Sequence, residues 1–236
     1  MIDSKQRSLL KAITWRIFAI TLLTVVSFLT TGDVKLTALI TLCYHGVQVF
    51  MFFIHERLWN FIKWGKTKGM FIQMTGLSGA GKTTLARSVE KRLKAKGYKV
   101  EVIDGDEYRE GLCNDLGFSK EDRNTNIRRL GFVGKVLSRN SVITIMSAIN
   151  PYDSLRQELE NTCGAKTVFI KCRLEECIHR DVKGLYAKAL SGEIKNFTGI
   201  SDPFQEPKQP DLAIDTAALS IEESVFVLEN FITDNL

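Results

Sequence analysis

Proline is scarce in this chain, four residues in 236, and histidine scarcer at three. So little proline excludes a proline-rich stalk or linker. His45 and His55 fall in or beside one apolar stretch and His179 in a later helix, so no three-histidine metal constellation is visible. The five cysteines (Cys43, Cys113, Cys163, Cys172, Cys177) are odd in number and contain no C-x-x-C pair, which argues against a zinc site and for a reducing compartment. Acids are nearly missing from the first segment. Met1 to Lys68 carry three of the 27 acids and nine of the 32 basic residues, leaving 24 against 23 for the rest of the chain. The basic excess therefore does not describe a nucleic-acid-binding surface on the main domain, and no nucleic-acid partner is expected. Internal repeats and low-complexity tracts are missing too. What remains, 44% hydrophobic and 25% charged, suffices for one full domain with a core plus an appendage.

Charge is also missing from two stretches near the start. Between Arg16 and Asp33 there is none, and between Lys35 and Glu56 there is none apart from the titratable His45 and His55. A membrane-crossing helix needs about 20 residues, about 17 at the lower end. The second stretch satisfies this better than the first, which is short and rich in threonine (Thr21, Thr24, Thr30, Thr31); threonine hydroxyls can bond back to helix carbonyls, and Arg16 can snorkel. The tight connection Gly32-Asp33-Val34-Lys35 predicts an antiparallel helical hairpin. Lys5, Arg7, Lys11 and Arg16 precede it, Arg57, Lys63, Lys66 and Lys68 follow it, and only Lys35 lies in the turn. The positive-inside rule then predicts a two-pass bacterial inner-membrane hairpin with both termini cytoplasmic. Trp15, Trp59 and Trp64 sit where interfacial anchors are expected. A cleaved signal peptide fits poorly, because no small-x-small site follows Leu29 and a second apolar stretch comes at once. A buried soluble hairpin is the other alternative.

After a basic linker, Met70 to Thr75 reads as a short buried strand, followed by Gly76-Leu77-Ser78-Gly79-Ala80-Gly81-Lys82-Thr83-Thr84. This is G-x-x-x-x-G-K-T. Its glycines let backbone N–H groups turn toward a phosphate, Lys82 offers a point charge to the β- and γ-phosphates, and Thr83 offers a hydroxyl to Mg²⁺. An amphipathic helix over Leu85 to Lys96 follows. ATP and Mg²⁺ are the expected cofactors, with all nine residues from Gly76 to Thr84 in the ATP site. The pattern alone does not choose among a kinase, a GTPase and a motor.

Further strands are predicted at Lys99–Ile103, Ser141–Met146, Thr167–Lys171 and Leu212–Asp215. Helices are expected from Ser119, with Asp122 completing a capping pattern, toward Arg139, and from Ile221 to about Ile232. Strands alternating with helices imply an α/β fold, a P-loop NTPase-type parallel sheet with helices on both faces. The domains expected are a membrane hairpin with its linker over 1–68 and the P-loop domain over 69–236. Ligands of such a sheet bind at the carboxyl ends of the strands. Asp104 and Asp106 fall there; near a P-loop one carboxylate can assist Mg²⁺ while the other accepts a hydroxyl proton. The reading thus has Lys82, Asp104 and Asp106 as catalytic and Thr83 with Asp104 as metal-binding, without fixing which aspartate is the base. Arg109, Arg123, Arg128 and Arg129 crowd the next segment, with Arg123 and Asn126 on one helix face, and such forks suit an anionic second substrate.

Taken in order, these segments resemble the adenylyl-sulfate kinase family over about 69–236. The resemblance rests on the loop at 76–84, Asp-Gly-Asp with Arg-Glu-Gly-Leu at 104–112, Leu-Gly-Phe-Ser at 116–119, Asp122-Arg123, Asn126 to Arg129, Arg180-Asp181-Val182-Lys183-Gly184-Leu185-Tyr186, and Gly192 to Lys195 leading to Phe197-Thr198-Gly199-Ile200. It implies phosphorylation of the 3′-hydroxyl of adenosine 5′-phosphosulfate. It further implies that Asp106, Arg109, Arg123 and Asn126 hold the sulfate, phosphate and ribose end, and that Phe118 and Phe197 stack on the adenine. Ile149 and Asn150 match positions lining that pocket, and Lys183 and Gly184 match a segment that closes over both nucleotides. A homodimer is left open. Residues 11–66, with Lys11 to Arg16 and His55 to Asn60, resemble a small family of predicted bacterial membrane domains of unknown function. This implies membrane embedding and no chemistry.

The chain departs from the kinase pattern where Ile149-Asn150-Pro151-Tyr152-Asp153 replaces the family's usual Ile-Ser-Pro-Tyr-Arg, although Arg156 keeps a later family arginine. The serine is a phosphoenzyme candidate in some members, and asparagine has no hydroxyl to phosphorylate. Direct transfer is the simpler expectation. A nucleotide-sensing membrane module without turnover is the alternative from a different class. A transport ATPase lacks its signature, and a sugar or shikimate kinase has no need for the Phe118 and Phe197 pair.

Overall fold

The computed structural model describes residues 5–61 and 68–236, with side chains from Ile13 to Leu58, Glu56 excepted, and from Lys68 onward. Lys63, Trp64 and Lys66 of the expected linker lie outside the described residues, as do the side chains of Lys5, Arg7, Lys11 and Trp59. Two compact units divide the chain, Met1–Lys66 and Thr67–Leu236.

The first unit is a hairpin of α1 (Lys5–Thr31) and α2 (Val34–Phe61). Gly32 ends α1 in the left-handed region at φ 66°, where L side chains are strained, and its N–H bonds the Phe28 carbonyl at 2.9 Å. Asp33 caps α2 by accepting the Lys35 N–H at 2.7 Å. The helices run side by side. Thr31 Oγ1 meets Thr37 Oγ1 at 3.0 Å near the turn, and toward the other end Arg16 Nη1 donates to Gln48 Oε1 at 2.9 Å. The threonine-rich α1 hides its hydroxyls on itself: Thr21, Thr24 and Thr30 each donate to the carbonyl four residues earlier, at 2.9, 2.8 and 3.0 Å. That leaves an outer surface of exposed apolar side chains, among them Trp15, Phe18, Leu29, Leu42, Phe50 and Phe53. The stretches Ile13–Thr31 and Val34–His55 are long and apolar enough to cross a membrane.

The second unit is built on five parallel strands, β1 (Met70–Thr75), β2 (Val100–Asp104), β3 (Ile143–Ser147), β4 (Lys166–Lys171) and β5 (Leu212–Asp215), in the order β2-β3-β1-β4-β5. Burial on both faces explains why β1 and β3 read as continuous runs without alternation. The helices between them are α3 (Lys82–Ala95), α4 (Glu107–Gly111), α5 (Lys120–Arg139), α6 (Asp153–Cys163), α7 (Leu174–Arg180), α8 (Leu185–Leu190) and α9 (Ile221–Asp234). Two core clusters result, one joining the sheet to α3 and α9, the other joining it to α5 and α6. Gly134 on α5 shows how closely the second is packed, since a Cβ there would lie 2.4 Å from the Phe71 ring.

Sequence expectations and observed elements agree for β1 and β5 and within one to two residues for the other strands. Ser119 is the N-cap of α5, accepting the Asp122 N–H, and Ser220 closes a full capping box on α9 with Glu223. α3 begins at Lys82 rather than Leu85, so the loop lysine and threonine are themselves the first residues of the helix. The short α4 and α8 have too few turns to be read from periodicity, and the amphipathic α6, with Leu155 and Leu159 buried on one face, is not among the expected helices.

Candidate active site

The phosphate loop runs from the end of β1 into α3. Gly81 occupies the left-handed region at φ 95° as the N-cap, which points the first amides of α3 into the open end of the sheet. Those amides have no intrahelical acceptor, and the helix dipole adds positive potential there. Lys82, itself the first residue of α3, folds its amine back: Nζ donates to the carbonyls of Gly76 at 3.0 Å and Leu77 at 2.8 Å. Burial lowers its pKa to about 8, partly opposed by Asp106, Cys177 and Asp104. Tyr186 Oη holds the loop from the other side by donating to the Ser78 carbonyl at 3.0 Å, and Thr216 Oγ1 bonds the Ala80 carbonyl at 2.9 Å.

The two aspartates part company. Asp104, buried at the end of β2, takes the Thr83 hydroxyl on Oδ2 at 2.7 Å and the Asp106 N–H on Oδ1 at 3.0 Å. Ser147, at the end of β3, brings its hydroxyl to 3.1 Å from that of Thr83. Two or three hard oxygens beside a phosphate loop fit a divalent cation that keeps most of its water, as Mg²⁺ does. Asp106 is exposed and pairs with Lys183, which sits between α7 and α8. This contact raises the Lys183 pKa.

Across a cleft of about 870 Å³ stands a second group of residues. The Arg109 guanidinium lies 4.1 Å above the Phe118 ring and bonds the Gly117 carbonyl. Arg123 reaches from α5 to the carbonyls of Phe118, at 3.0 Å, and Asn196, and to the Thr198 hydroxyl. Asn126 is buried one turn further, with its Oδ1 unpartnered. Phe197 is buried edge-on against Tyr186, with ring centroids 5.0 Å apart, whereas Phe118 is well exposed. Arg109, Phe118, Arg123, Asn126 and Phe197 line the cleft together with Ile149, Asn150 and Lys183. Arg128 and Arg129 do not; they are engaged with Glu158 and Asp115 outside it. Gly184 is the left-handed N-cap of α8, and Asp181 accepts the N–H groups of Tyr186 and Ala187 at 3.0 Å each, which fixes the start of that helix.

The departures at 150 and 153 have structural partners. Asn150 takes a left-handed conformation at φ 40°, which asparagine tolerates, and its amide donates to Gln73 Oε1 at 3.0 Å. Arg156, almost fully buried, donates to the Asn150 carbonyl at 2.9 Å, the Gln205 carbonyl at 2.6 Å and Asp153 Oδ1 at 3.1 Å. Asp153 is thus the counter-ion of a buried arginine and opens α6 with a favourable acid. Sequence reasoning missed Ser147, Thr198 and the hold of Tyr186 on the loop. Each carried a signal: Ser147 by its place at the carboxyl end of a strand, and Tyr186 and Thr198 by lying within the motif runs that carry the family resemblance.

A parallel sheet with this strand order, a phosphate loop entering α3 and a carboxylate at the end of β2 define the class of P-loop phosphotransferases. Comparison with known proteins narrows the class: residues 68–215 match the family described as adenylylsulphate kinase, and the chain belongs to it. It is an enzyme of that family. The probable adenylyl-sulfate kinase of Synechocystis sp. is 55% identical over 159 residues, 67% of this chain and 90% of that protein. The adenylyl-sulfate kinase of Halothermothrix orenii is 54% identical over 158 residues, 66% and 85%. The APS kinase of Mycobacterium tuberculosis, solved with AMPPNP and APS, superposes with a TM-score of 0.68 at 40% identity, covering 71% of this chain and 99% of that one. Residues 9–60 match a second family, described as predicted membrane protein (DUF2061).

Proposed function

We propose that this chain is a membrane-tethered kinase that transfers the γ-phosphate of ATP to the 3′-hydroxyl of adenosine 5′-phosphosulfate, giving 3′-phosphoadenylyl sulfate and ADP. The observation that carries this reading is the two-sided cleft, with a phosphate loop and cation-suited oxygens on one wall and two arginines with two aromatic rings on the other. ATP lies along the loop amides from Gly76 to Thr84, with Lys82 leaving its two carbonyls for the phosphates. Thr83 and Asp104 hold Mg²⁺, which when bound neutralises charge on the phosphate oxygens. Arg109, Arg123 and Asn126 hold the anionic and ribose end of the acceptor, and Phe118 and Phe197 flank its adenine. Asp106 is the better-placed base, because Asp104 spends both oxygens on Thr83 and on backbone amides whereas Asp106 has a single, exposed cationic partner. The acceptor oxygen attacks phosphorus in line, the bond to the β-phosphate oxygen breaks, and the hydroxyl proton passes to Asp106. Transfer is direct, since Asn150 has no hydroxyl to carry the phosphoryl group. Lys183 and Gly184 close over the nucleotides and keep out water that would otherwise accept the phosphoryl group.

The same reading makes α1 and α2 a two-pass anchor in the bacterial inner membrane, with both termini and the kinase cytoplasmic and lipid against the exposed apolar faces. A homodimer belongs to it too, to be checked by the mass of the detergent complex. The kinase claim is tested by ADP release from the detergent-solubilised chain. Release that requires adenosine 5′-phosphosulfate supports it; nucleotide binding without release favours a sensor.

A further inference from the structure

We propose that Tyr152 is a positioning residue for the acceptor nucleotide, holding through Asp202 the loop that carries Phe197. This rests on the kinase reading above, in which Phe197 flanks the acceptor's adenine. Residues 197–202 form a loop closed on itself. The Phe197 carbonyl accepts the N–H of Ile200 at 3.1 Å and those of Ser201 and Asp202 at 3.0 Å, the Ser201 hydroxyl accepts the Phe197 N–H at 2.9 Å, and the Gly199 N–H bonds the Asp202 carbonyl at 2.8 Å. So many short-range bonds make the loop move as one piece. Its place in the cleft is therefore set by what grips it from outside.

The loop is gripped in three ways. Toward the phosphate loop, the Phe197 ring meets the Tyr186 ring, and a Cβ on Gly199 would lie 2.8 Å from Leu77 Cδ2. From α5, Arg123 donates to the Asn196 carbonyl and the Thr198 hydroxyl. From the segment after β3, Tyr152 Oη donates to Asp202 Oδ2 at 2.9 Å. The first two grips involve groups that the ligands engage in the proposed reading, Leu77 in the ATP site and Arg123 at the anionic end of the acceptor. Neither Tyr152 nor Asp202 lines the cleft, so their bond persists with both nucleotides in place.

Tyr152 is the fixed end of that bond. Its ring is buried in the core cluster of α5 and α6, with the Lys120 amine 5.2 Å from the ring centroid. The residues before it are pinned to β1, since the Ile149 and Asn150 carbonyls lie 2.9 and 3.0 Å from the Thr75 hydroxyl. Just past the loop, the Gln205 N–H bonds the Pro151 carbonyl at 2.9 Å, and its side-chain oxygen accepts the Asp153 N–H at 2.8 Å. Burial and the Asp202 carboxylate push the Tyr152 pKa up, so the phenol keeps its proton and stays the donor. A hydrogen bond to a charged acceptor is among the stronger ones. Losing it frees the Asp202 backbone, which is bonded to both Phe197 and Gly199, and shifts the ring from the adenine while the phosphate loop keeps its own bonds.

The test is steady-state kinetics of the full chain in detergent. Tyr152→Phe keeps the ring in its core and removes the hydroxyl alone. It should raise the KM for adenosine 5′-phosphosulfate about tenfold, the equivalent of one hydrogen bond to a charged group, and leave kcat and the KM for ATP within about twofold. Asp202→Asn, which keeps an oxygen for the phenol to bond, should stay within about threefold of the parent chain. In a Phe197→Ala chain, adding Tyr152→Phe should cost less than about twofold more, because both changes act on one contact. A loss of the same size with and without Phe197, a loss that falls equally on ATP, or an unchanged KM would overturn the positioning role. A parent chain that releases no ADP from ATP and adenosine 5′-phosphosulfate removes the kinase reading and this inference together; an active parent with an unmoved variant removes only the inference.

Discussion

Thr83 Oγ1 donates to Asp104 Oδ2 at 2.7 Å, tying the first turn of α3 to the carboxyl end of β2. This bond sets the hydroxyl beside the carboxylate, the pair that in the proposed reading would hold Mg²⁺, and it leaves Asp106 as the freer carboxylate. Asp104→Asn should therefore raise the Mg²⁺ concentration needed for half-maximal rate by tenfold or more. Asp106→Asn should lower kcat by about 10²–10⁴ with little change in that requirement. Mg²⁺ titrations of both variants check this, and the reverse assignment would exchange the two results.

The lowered pKa of Lys82, about 8 against 10.5, makes nucleotide binding a proton-linked event. Phosphate oxygens beside the amine favour its charged form, so the bound pKa is higher than the free one. The linked affinity is fully present below pH 8 and falls as pH rises past it, by up to tenfold per unit. Calorimetry near pH 9 in buffers of different ionisation enthalpy should show proton uptake with ATP. Lys82→Ala should remove both the uptake and the turnover while leaving the fold intact.

Phe118 and Phe197 are assigned to the acceptor, so alanine at Phe197 should weaken adenosine 5′-phosphosulfate binding about tenfold or more, from about 1–3 kcal/mol of stacking. ATP affinity should barely move. Calorimetric titration of each nucleotide into the variant decides it, and equal losses would contradict the assignment.

Asn150→Ser restores the family's usual hydroxyl but places serine at φ 40° without the bond to Gln73. Stability should fall by about 1–2 kcal/mol with no gain in kcat. Arg156→Ala, which strands the Asn150 and Gln205 carbonyls, should cost more, about 2–4 kcal/mol. Thermal denaturation and steady-state rates measure both, and a large rate gain from the serine would argue against direct transfer.

The sequence carried the fold well wherever local rules act alone. The phosphate loop, the Ser119 cap and the buried run of β1 each depend on contiguous residues, and each is found where expected. Long-range pairing was less legible. That Asp104 would be the inner and Asp106 the outer carboxylate depends on which side of the β2 turn faces α3, and the Asp-Gly-Asp spelling is silent on that. Arg123 and Arg129 lie about 120° apart on a helical wheel, and the spacing alone does not say which of them faces the cleft. They differ because Asp115 lies outside the cleft and draws Arg129 to it. Asp153 reads as the loss of an arginine until Arg156 is seen buried beneath it.

A single-turnover experiment tests the central claim most directly. Full-length chain in detergent, in excess over γ-labelled ATP, is mixed with Mg²⁺ and adenosine 5′-phosphosulfate, and the label is followed in nucleotides and in protein. The account predicts label on the 3′-oxygen of 3′-phosphoadenylyl sulfate, equimolar ADP and none on the polypeptide. ATP that stays intact while bound, or label that passes first to the protein, would contradict it.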